Sequence, residues 1–351
     1  MHPFQYQRAS SPAQASAAVA AQPTAAFVAG GTSQLDLMKE GVLHPELLVD
    51  VTPLGLTSIT PLEGGGLRLG AGVSNTAAAL HPLVRQRYPA VSEALLAGAS
   101  TQIRNMASLG GNPLQRTRCP YFRDPAQPCN KREPGSGCAA LGGYNRVHAL
   151  FGASDKCVAT HPSDLAVALA ALDAQVQTLG PGGPRVIPFT ELHRLPGDTP
   201  QQDTTLAHGE LITSLDLPAF NGRSHYLKVR ERASYAFALV SCAVALEMEG
   251  KKIRRARVAL GGVAHKPWRL PAAVETMLAG QKPSEKLFRA AAAQAFAEAR
   301  PLEHNAYKIP MGRNLLVRAL LETSGLQPLQ GPAGTAFAAS VGGVSGEVAA
   351  Q

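Results

Sequence analysis

Four cysteines stand in one polar stretch of the chain: Cys119, Cys129, Cys138 and Cys157, with 9, 8 and 18 residues between them. Four thiolates are what a 4Fe-4S cluster or an all-cysteine zinc site requires. The lack of a CxxC pair weakens the zinc interpretation, because structural zinc is usually held by such close pairs. Two disulfide bonds and a solvated basic loop are the remaining alternatives.

The surroundings of these thiols are basic. Residues 101–160 contain eight Lys and Arg side chains but three Asp and Glu side chains. This balance suits a segment that wraps around anions such as a thiolate-bound cluster and a diphosphate. The fifth cysteine, Cys242, lies alone in an apolar predicted strand, where we expect it to be part of the core.

Two glycine turns could bind phosphate. One is Gly30-Gly31-Thr32-Ser33, and the other runs from Ser108 to Asn112. Exposed backbone N–H groups in such turns bind anions, and glycine lets a phosphate approach the main chain. Two turns in one domain suit a diphosphate, although a simple bend is the alternative for each. Neither has the GxGxxG or Walker spacing, which disfavours a Rossmann site and a P-loop.

The elements that must position these residues begin with alternating strands and helices. "AAFVAGGTSQLDLMKEG" and "LRLGAGVSNTAAALHPLV" are each predicted as strand, turn and helix, "ELLVDV" as a strand, and "AVSEALLAGA" as a helix. "SDLAVALAALDAQVQTLG" predicts a helix capped by Ser163 or Asp164 that turns into a strand. "GELITSLDLPA" is a further predicted strand. Together these elements predict an α+β or α/β domain that ends near residue 220.

The second half of the chain has a different pattern. "SYAFALVSCAVALEMEGKKIRRARVALGGVA" contains two long predicted strands joined at Glu249 and Gly250, as in an antiparallel hairpin. Three helices follow, in "LPAAVETMLAG", "SEKLFRAAAAQAFAEA" and "GRNLLVRALLETSG". We expect a second domain of about 100 residues with a sheet backed by helices, and then a flexible tail.

Composition limits the possible functions. A chain of 351 residues is expected to form at least two domains, and 45% hydrophobic and 17% charged residues are typical of a soluble globular protein. A net charge of +8 permits nucleic acid binding, but no zinc-finger, RNP or helix-turn-helix signature accompanies it. The alanine-rich N-terminus lacks a basic region and a strongly apolar segment, so we expect no signal peptide. Instead, Ser10 or Ser11 with Pro12 predicts a helix start.

The motifs as a set resemble a known family. "FVAGGTSQLDLMK", "STQIRNMASLGGN", "SDLAVALAALDAQV" and "ELITSLDLP" occur in the order and spacing of the FAD-binding medium subunits of molybdenum hydroxylases, the xanthine dehydrogenase and CO dehydrogenase flavoprotein family. The resemblance covers residues 1 to about 325. About fifty residues, with four cysteines, separate the second turn from the Ser-Asp helix, where most members have roughly ten. This insertion resembles those of the 4Fe-4S-bearing medium subunits of periplasmic aldehyde oxidoreductase and of 4-hydroxybenzoyl-CoA reductase. Of these two, the aldehyde oxidoreductase subunit is the more similar.

The resemblance implies an α+β fold in two domains. Residues 1–220 would form a two-subdomain FAD-binding domain of the PCMH/VAO type, with a cysteine-rich 4Fe-4S insertion at about 113–160. Residues 221–325 would form a CO dehydrogenase flavoprotein C-terminal-like domain, an antiparallel sheet packed on helices. Residues 326–351 would be the tail.

The resemblance also implies the site residues. The FAD diphosphate would be held by two turns made of Ala29, Gly30, Gly31, Thr32, Ser33, Gln34, Ser108, Gly110, Gly111 and Asn112. Further cofactor contacts would come from Phe27, Val28, Thr101, Asn105, Asp164, Leu211, Ile212 and Lys228. Asp164 would accept a hydrogen bond from the ribose or adenine side, Leu211 or Ile212 would flank the adenine, and Lys228 would approach the flavin. The four cysteines would bind the 4Fe-4S cluster, and no residue is expected to act as a catalytic acid or base.

The function implied is that of an electron-transfer subunit active only in a complex. A small subunit with 2Fe-2S clusters and a large subunit with the molybdenum cofactor would complete a heterotrimer, or a dimer of it, which passes electrons to FAD and an external acceptor. A 4-hydroxybenzoyl-CoA reductase-like or xanthine dehydrogenase-like complex is the alternative. A basic scaffold with a four-cysteine zinc site is the rival from another class. We expect no nucleic acid partner, no membrane span, and a periplasmic location by co-export with a signal-bearing partner, or a cytoplasmic one.

Overall fold

Two sheets form the first half of the chain in the computed structural model, which describes residues 1–329. The predicted tail therefore lies outside the described residues from position 330 onward. The smaller sheet is parallel, with the order β1 (Gln5–Arg8), β3 (Leu47–Asp50), β2 (Ala25–Val28). The larger sheet is antiparallel, with the order β4 (Ile59–Pro61), β5 (Leu67–Gly70), β8 (Leu211–Leu217), β6 (Gln175–Gly180), β7 (Gly183–Pro188).

Short helices connect these strands. They are α1 (Pro12–Ala20), α2 (Gln34–Lys39), α3 (Asn75–Leu80), α4 (Pro82–Arg87), α5 (Pro89–Ala97), α6 (Thr101–Met106), α7 (Pro120–Arg123), α8 (Ala139–Gly142), α9 (Asp164–Ala171) and α10 (Phe189–Leu192), with a 3-10 helix at Thr52–Leu54. The predicted start of α1 is confirmed, since the Ser11 side chain accepts a hydrogen bond from the Gln14 N–H and Pro12 is the first helical residue. Helix α6 was not predicted as an element. Its start is capped by Ser100, which accepts from the Ile103 N–H.

The second half is one antiparallel sheet covered by helices. Its strands follow the order β12 (Trp268–Arg269), β11 (Lys252–Gly261), β10 (Val240–Glu249), β9 (Arg223–Val229), and α11 (Ala272–Leu278), α12 (Glu285–Ala295) and α13 (Lys308–Ser324) come after them. The predicted hairpin is confirmed, because β10 ends at Glu249 and Gly250 lies in the turn with φ +55°. Helix α13 begins four residues earlier than the apolar pattern indicates.

Helix α9 lies between the two halves. Each of its residues is buried, which agrees with a sequence that is apolar nearly all round. One face of the second-half sheet, with Ala243 and Ala245, belongs to the same core as α9. The opposite face, with Cys242 and Val244, packs on the C-terminal helices. Alternate residues of β10 thus join the two cores, and Cys242 is confirmed as a core residue.

Within residues 1–329, the structure contains no helix with the length and apolar character needed to cross a bilayer.

Three histidines lie close together, of which His193 and His265 are buried, and His265 joins the second half to the first. His161 and His193 lie with ring centroids 4.4 Å apart, and both donate from Nε2 to the carbonyl oxygen of Pro113, at 3.1 and 2.8 Å. His265, just after β11, donates from Nδ1 to the carbonyl oxygen of Arg194 at 3.0 Å. Burial lowers the pKa of His193 and of His265 to about 4. Both imidazoles are therefore neutral in the folded chain.

We expect the chain to lose stability as the pH falls from about 6.5 to about 4. Above pH 6.5 these histidines are neutral in the folded and the unfolded chain, so the stabilisation is fully present. Below it, the unfolded chain binds protons that the folded chain excludes. The loss is on the order of 3 kcal/mol per histidine over this range. Urea unfolding at a series of pH values measures it.

His193→Gln supplies the control, because the amide can still donate to Pro113 but does not titrate. This variant should show a shallower fall in the free energy of unfolding over the same pH range. An unchanged slope would contradict the assignment.

Candidate cofactor-binding site

One large cavity lies where the two sheets of the first half meet the second half. Its volume is about 990 Å³, at the upper end of the range usual for ligand sites. Both glycine turns line it, together with the end of α5, the start of β8, Lys228 and the loop at 231–239. The cysteine-rich insertion adds Thr117, Arg118, Cys119, Val147 and His148. Residues from the first half, the insertion and the sheet side of the second half therefore converge on this cavity.

The first glycine turn leaves its amides unused. It connects β2 to α2, and Gly31 adopts the left-handed conformation, with φ +69°. Within the described part of the chain, the backbone N–H groups of residues 30–33 donate no hydrogen bond. Successive free N–H groups beside a cavity form a binding site for an anion.

Close packing fixes this turn against the second one. A Cβ atom at Gly30 would lie 1.8 Å from the carbonyl oxygen of Met106, the last residue of α6. Only glycine allows the two backbones to approach this closely. The first turn and the chain that leads into the second are thus held as one wall of the cavity.

The second turn differs from the first because its amides are already engaged. The Gly110 N–H donates to the Ala71 carbonyl at 2.8 Å, the Gly111 N–H to Ser108 Oγ at 3.2 Å, and the Asn112 N–H to the Ser108 carbonyl at 3.0 Å. Its contribution is shape and side-chain polarity. Asn112 Oδ1 accepts a hydrogen bond from Ser163 Oγ at 2.5 Å, which ties the turn to the start of α9.

A buried ion pair closes the cavity on the side of the second half. Lys228 Nζ lies 2.7 Å from Asp164 Oδ2 and 3.1 Å from the Ala97 carbonyl oxygen. The Tyr226 hydroxyl donates to the other carboxylate oxygen of Asp164. Burial and this carboxylate raise the pKa of Tyr226 well above its ordinary value, so the phenol stays protonated as a donor. Both oxygens of Asp164 thus have partners.

The structure brings the predicted cofactor contacts together, with one exception. All of the predicted positions except Thr101 line the cavity. Thr101 is exposed at the start of α6, and its hydroxyl accepts a hydrogen bond from Arg104 Nη2 at 3.3 Å. Several lining residues were not identified from the sequence: Asn75, Arg118, His148 and Phe237. Asn75 is buried, and within residues 1–329 its Oδ1 atom has no hydrogen-bond partner; the only sequence signal for it was its place where the predicted turn gives way to a helix, of which it is the first residue.

The four cysteines come together in a small apolar cluster of the insertion. Cys119, Cys129 and Cys157 are buried and Cys138 is partly buried, among side chains that include Phe122. All five cysteines of the chain carry free thiols. Cys119 alone among the four also lines the cavity, and His148 Nε2 lies 3.1 Å from its Sγ atom. The cysteine cluster therefore borders the cavity through Cys119 and His148.

Asn130 organises the loop that carries three of these thiols. An antiparallel bridge places Cys129 opposite Cys138. Asn130 Oδ1 accepts from the Gly135 and Gly137 N–H groups at 3.1 and 2.9 Å, and its Nδ2 donates to the Lys156 carbonyl at 3.1 Å. The residue before Cys157 is thereby attached to the turn between Cys129 and Cys138.

Burial makes these thiols poor acids on their own. Desolvation raises the pKa of Cys119 to about 12 and that of Cys157 to about 11. Hydrogen bonds from the backbone N–H groups of Phe122 and Tyr121 lower the pKa of Cys119, but by less than burial raises it. A bound metal would deprotonate the thiols outright. Within residues 1–329, no three His, Cys, Asp or Glu side chains are arranged to hold a metal ion.

A buried salt bridge attaches the insertion to the rest of the first half. Lys131 is 2% exposed, and its Nζ contacts Asp203 and donates to the Pro200 carbonyl at 2.7 Å. Arg116 Nε donates to the other oxygen of Asp203 at 2.8 Å. Burial alone would raise the pKa of Asp203, but Lys131 and Arg116 outweigh it and the pKa is lowered. Asp203 is ionised and paired with two cations.

Comparison with known proteins identifies the family. Residues 2–220 match the FAD-binding domain in molybdopterin dehydrogenase, and residues 225–323 match the CO dehydrogenase flavoprotein C-terminal domain. The chain belongs to this molybdopterin dehydrogenase flavoprotein family, as an FAD-binding subunit of a molybdenum hydroxylase. The predicted family, the predicted fold class and the prediction of an oxidoreductase subunit are confirmed.

Two curated relatives and one solved structure show how far the similarity extends. The chain is 49% identical over 324 residues to the aldehyde oxidoreductase FAD-binding subunit PaoB of Escherichia coli K12, covering 92% of this chain and 98% of the relative. It is 26% identical to the glyceraldehyde dehydrogenase medium chain of Sulfolobus acidocaldarius, covering 85% and 89%. Carbon monoxide dehydrogenase from Hydrogenophaga pseudoflava has the same fold, with a TM-score of 0.72, 24% identity, and coverage of 92% and 98%.

Gly30→Ala tests the packing of the two turns. The added methyl group would overlap the Met106 carbonyl, so we expect the free energy of unfolding to fall by about 1–3 kcal/mol. Gly182→Ala is the matched control, because apart from its two chain neighbours no atom of residues 1–329 lies within 4 Å of the Cβ position there. Urea unfolding of both variants measures the difference, and equal stabilities would contradict the close approach.

Asp203→Asn tests the attachment of the insertion. The variant leaves the Lys131 ammonium buried without its carboxylate, which should lower the free energy of unfolding by about 3 kcal/mol. Asp155→Asn, whose side chain is 80% exposed beside Lys156, should change it by less than about 0.5 kcal/mol. If both variants unfold at the same urea concentration, the salt bridge does not stabilise the fold.

Proposed function

We propose that the chain is the FAD- and 4Fe-4S-binding electron-transfer subunit of a molybdenum-containing aldehyde oxidoreductase. It would pass electrons from 2Fe-2S clusters of a partner subunit to FAD and on to an external acceptor. The observation that carries the proposal is the contact between the cavity and the four-cysteine cluster through Cys119 and His148. Two redox groups held at these places would be neighbours.

The cavity fits FAD. The free amides of residues 30–33 suit the diphosphate, while Leu211 and Ile212, both buried at the start of β8, offer an apolar surface for the adenine. Lys228 and the loop at 231–239 would lie toward the flavin ring. When bound, FAD supplies the redox chemistry, and this chain's residues bind it, orient it and exclude water.

The four thiols suit a 4Fe-4S cluster, because all four lie in one largely buried group and each would bind a different iron. A zinc site made of four cysteines needs the same number of thiols and is the alternative. Cys119, Cys129, Cys138 and Cys157 would be the four ligands.

Aldehyde oxidation is proposed from the 49% identical relative, whose name states that activity. Substrate contacts would belong to a large molybdenum cofactor subunit, and a small 2Fe-2S subunit would complete a heterotrimer. The proposed domains are 1–220, with the cluster insertion at about 113–160, and 221–325, followed by a tail at 326–351. A periplasmic location would require co-export with a signal-bearing partner, and a cytoplasmic complex is the alternative.

Purification of the full chain without oxygen, followed by flavin and iron assays, tests the proposal. We expect one FAD and about four irons per chain. Cys119→Ser should lower the iron content, whereas Cys242→Ser, in the core of the second half, should leave it unchanged. Equal iron in both variants would refute the ligand assignment, and zinc without flavin would refute the proposed function itself.

A further inference from the structure

Arg118 reaches from the cysteine-rich insertion to the first glycine turn. Its Nη2 atom lies 3.4 Å from Ser33 Oγ, and its Nη1 atom lies 3.7 Å from Asp36 Oδ2. The guanidinium carbon lies 4.9 Å from the centre of the Phe237 ring, in the loop of the second half. Arg118 thus extends from the insertion to two other walls of the cavity, the start of α2 and the loop of the second half.

Most of the hydrogen-bonding capacity of Arg118 is unused. Its Nε atom is buried and has no partner within residues 1–329, and the two contacts of its terminal nitrogens are long. Its side chain is only 24% exposed, and this burial lowers its pKa. A guanidinium with five donors that is removed from water to this extent is stabilised by an anion.

The other cationic side chains that line the described cavity are already engaged. Lys228 pairs with Asp164 and the Ala97 carbonyl. Arg232 donates to the carbonyl oxygens of Ser234 and Tyr235 in its own loop. Asp36 also lies 3.7 Å from Arg123, so it keeps a cationic neighbour if Arg118 turns to a ligand. Arg118 is therefore the side chain best placed to add positive charge beside the free amides.

We propose that Arg118 binds the diphosphate of FAD together with the backbone amides of residues 30–33, and that the 4Fe-4S cluster holds Arg118 in this position. The proposal rests on the proposed function. Cys119 directly follows Arg118, so a metal-bound Cys119 fixes the backbone from which the guanidinium extends. The cluster then has a binding role in addition to any redox role: its loss releases the arginine and weakens flavin binding.

The dissociation constant of FAD tests the first part of the proposal. The full-length chain is depleted of flavin, and the quenching of FAD fluorescence is followed on titration. Arg118→Gln should weaken FAD binding about 10- to 100-fold, because a charge-assisted hydrogen bond is lost, with iron content unchanged. Arg289→Gln, on the surface of α12 with a side chain that is 60% exposed, is the matched control and should bind as wild type. Equal constants for Arg118→Gln and wild type would overturn the proposal.

Arg118→Lys keeps the test valid if Arg118→Gln fails to fold. Lysine preserves the charge but loses the planar fork, so its FAD affinity should fall between those of wild type and Arg118→Gln. If Arg118→Gln misfolds and Arg118→Lys binds FAD with wild-type affinity, then Arg118 has a structural role and the proposal is wrong.

A double-mutant cycle tests the link to the cluster. Cys138→Ser removes a ligand that does not line the cavity, and it should weaken FAD binding in the wild-type background. In the Arg118→Gln background it should add little, because the arginine that the cluster positions is already gone. Additive effects would refute the link. A wild-type chain that binds neither FAD nor iron would refute the proposed function instead, which is a distinguishable result.

Discussion

The insertion at about 113–160 has few apolar side chains, so it cannot fold around a hydrophobic core of its own. The apolar cluster around the four cysteines is small and includes Leu37 and Val42 from outside the insertion. Leu150 and Phe151 pack into the core of the second half, and polar contacts such as the pairing of Lys131 and Arg116 with Asp203 complete the attachment. A polar attachment of this kind is specific in geometry but costly to break, since each partner would be left desolvated.

The second half of the fold completes this attachment. Lys308, fully buried at the start of α13, donates to the carbonyl oxygens of Val147, His148 and Gly262 at 3.0, 3.0 and 2.7 Å. These three bonds use all the donors of the ammonium group. Burial lowers the pKa of Lys308 to about 7. Asn305 adds bonds to the carbonyls of His148 and Ala149, both at 3.1 Å. The segment that places His148 beside Cys119 is therefore fixed by hydrogen bonds from side chains of the second half to its backbone carbonyl oxygens.

Local chemistry in the sequence predicts much of the fold and half of the site. Ser163 is the N-cap of α9 and accepts from the Ala166 N–H at 3.0 Å, as its residue type before an apolar run indicates. Strand β7 was missed because its one glycine and two prolines are unfavourable in strands. The contact of Arg118 with Ser33 joins residues 85 positions apart, and no local pattern encodes such a distance. The sequence also did not reveal that the amides are free in the first glycine turn and hydrogen-bonded in the second, since both turns contain Gly-Gly.

Linkage between metal binding, proton release and flavin binding follows from this arrangement. Buried thiols with raised pKa values are protonated until a metal binds, so cluster insertion releases protons and becomes more favourable as the pH rises. Rising pH also favours the folded state through His193 and His265, because their imidazoles are neutral in the folded chain. Pro113, whose carbonyl oxygen accepts from His193, lies six residues before Cys119, which lines the cavity. Neutral or mildly alkaline pH therefore favours both the folded chain and the bound cluster. The segment that the cluster orders also carries Arg118, which we propose binds the flavin cofactor.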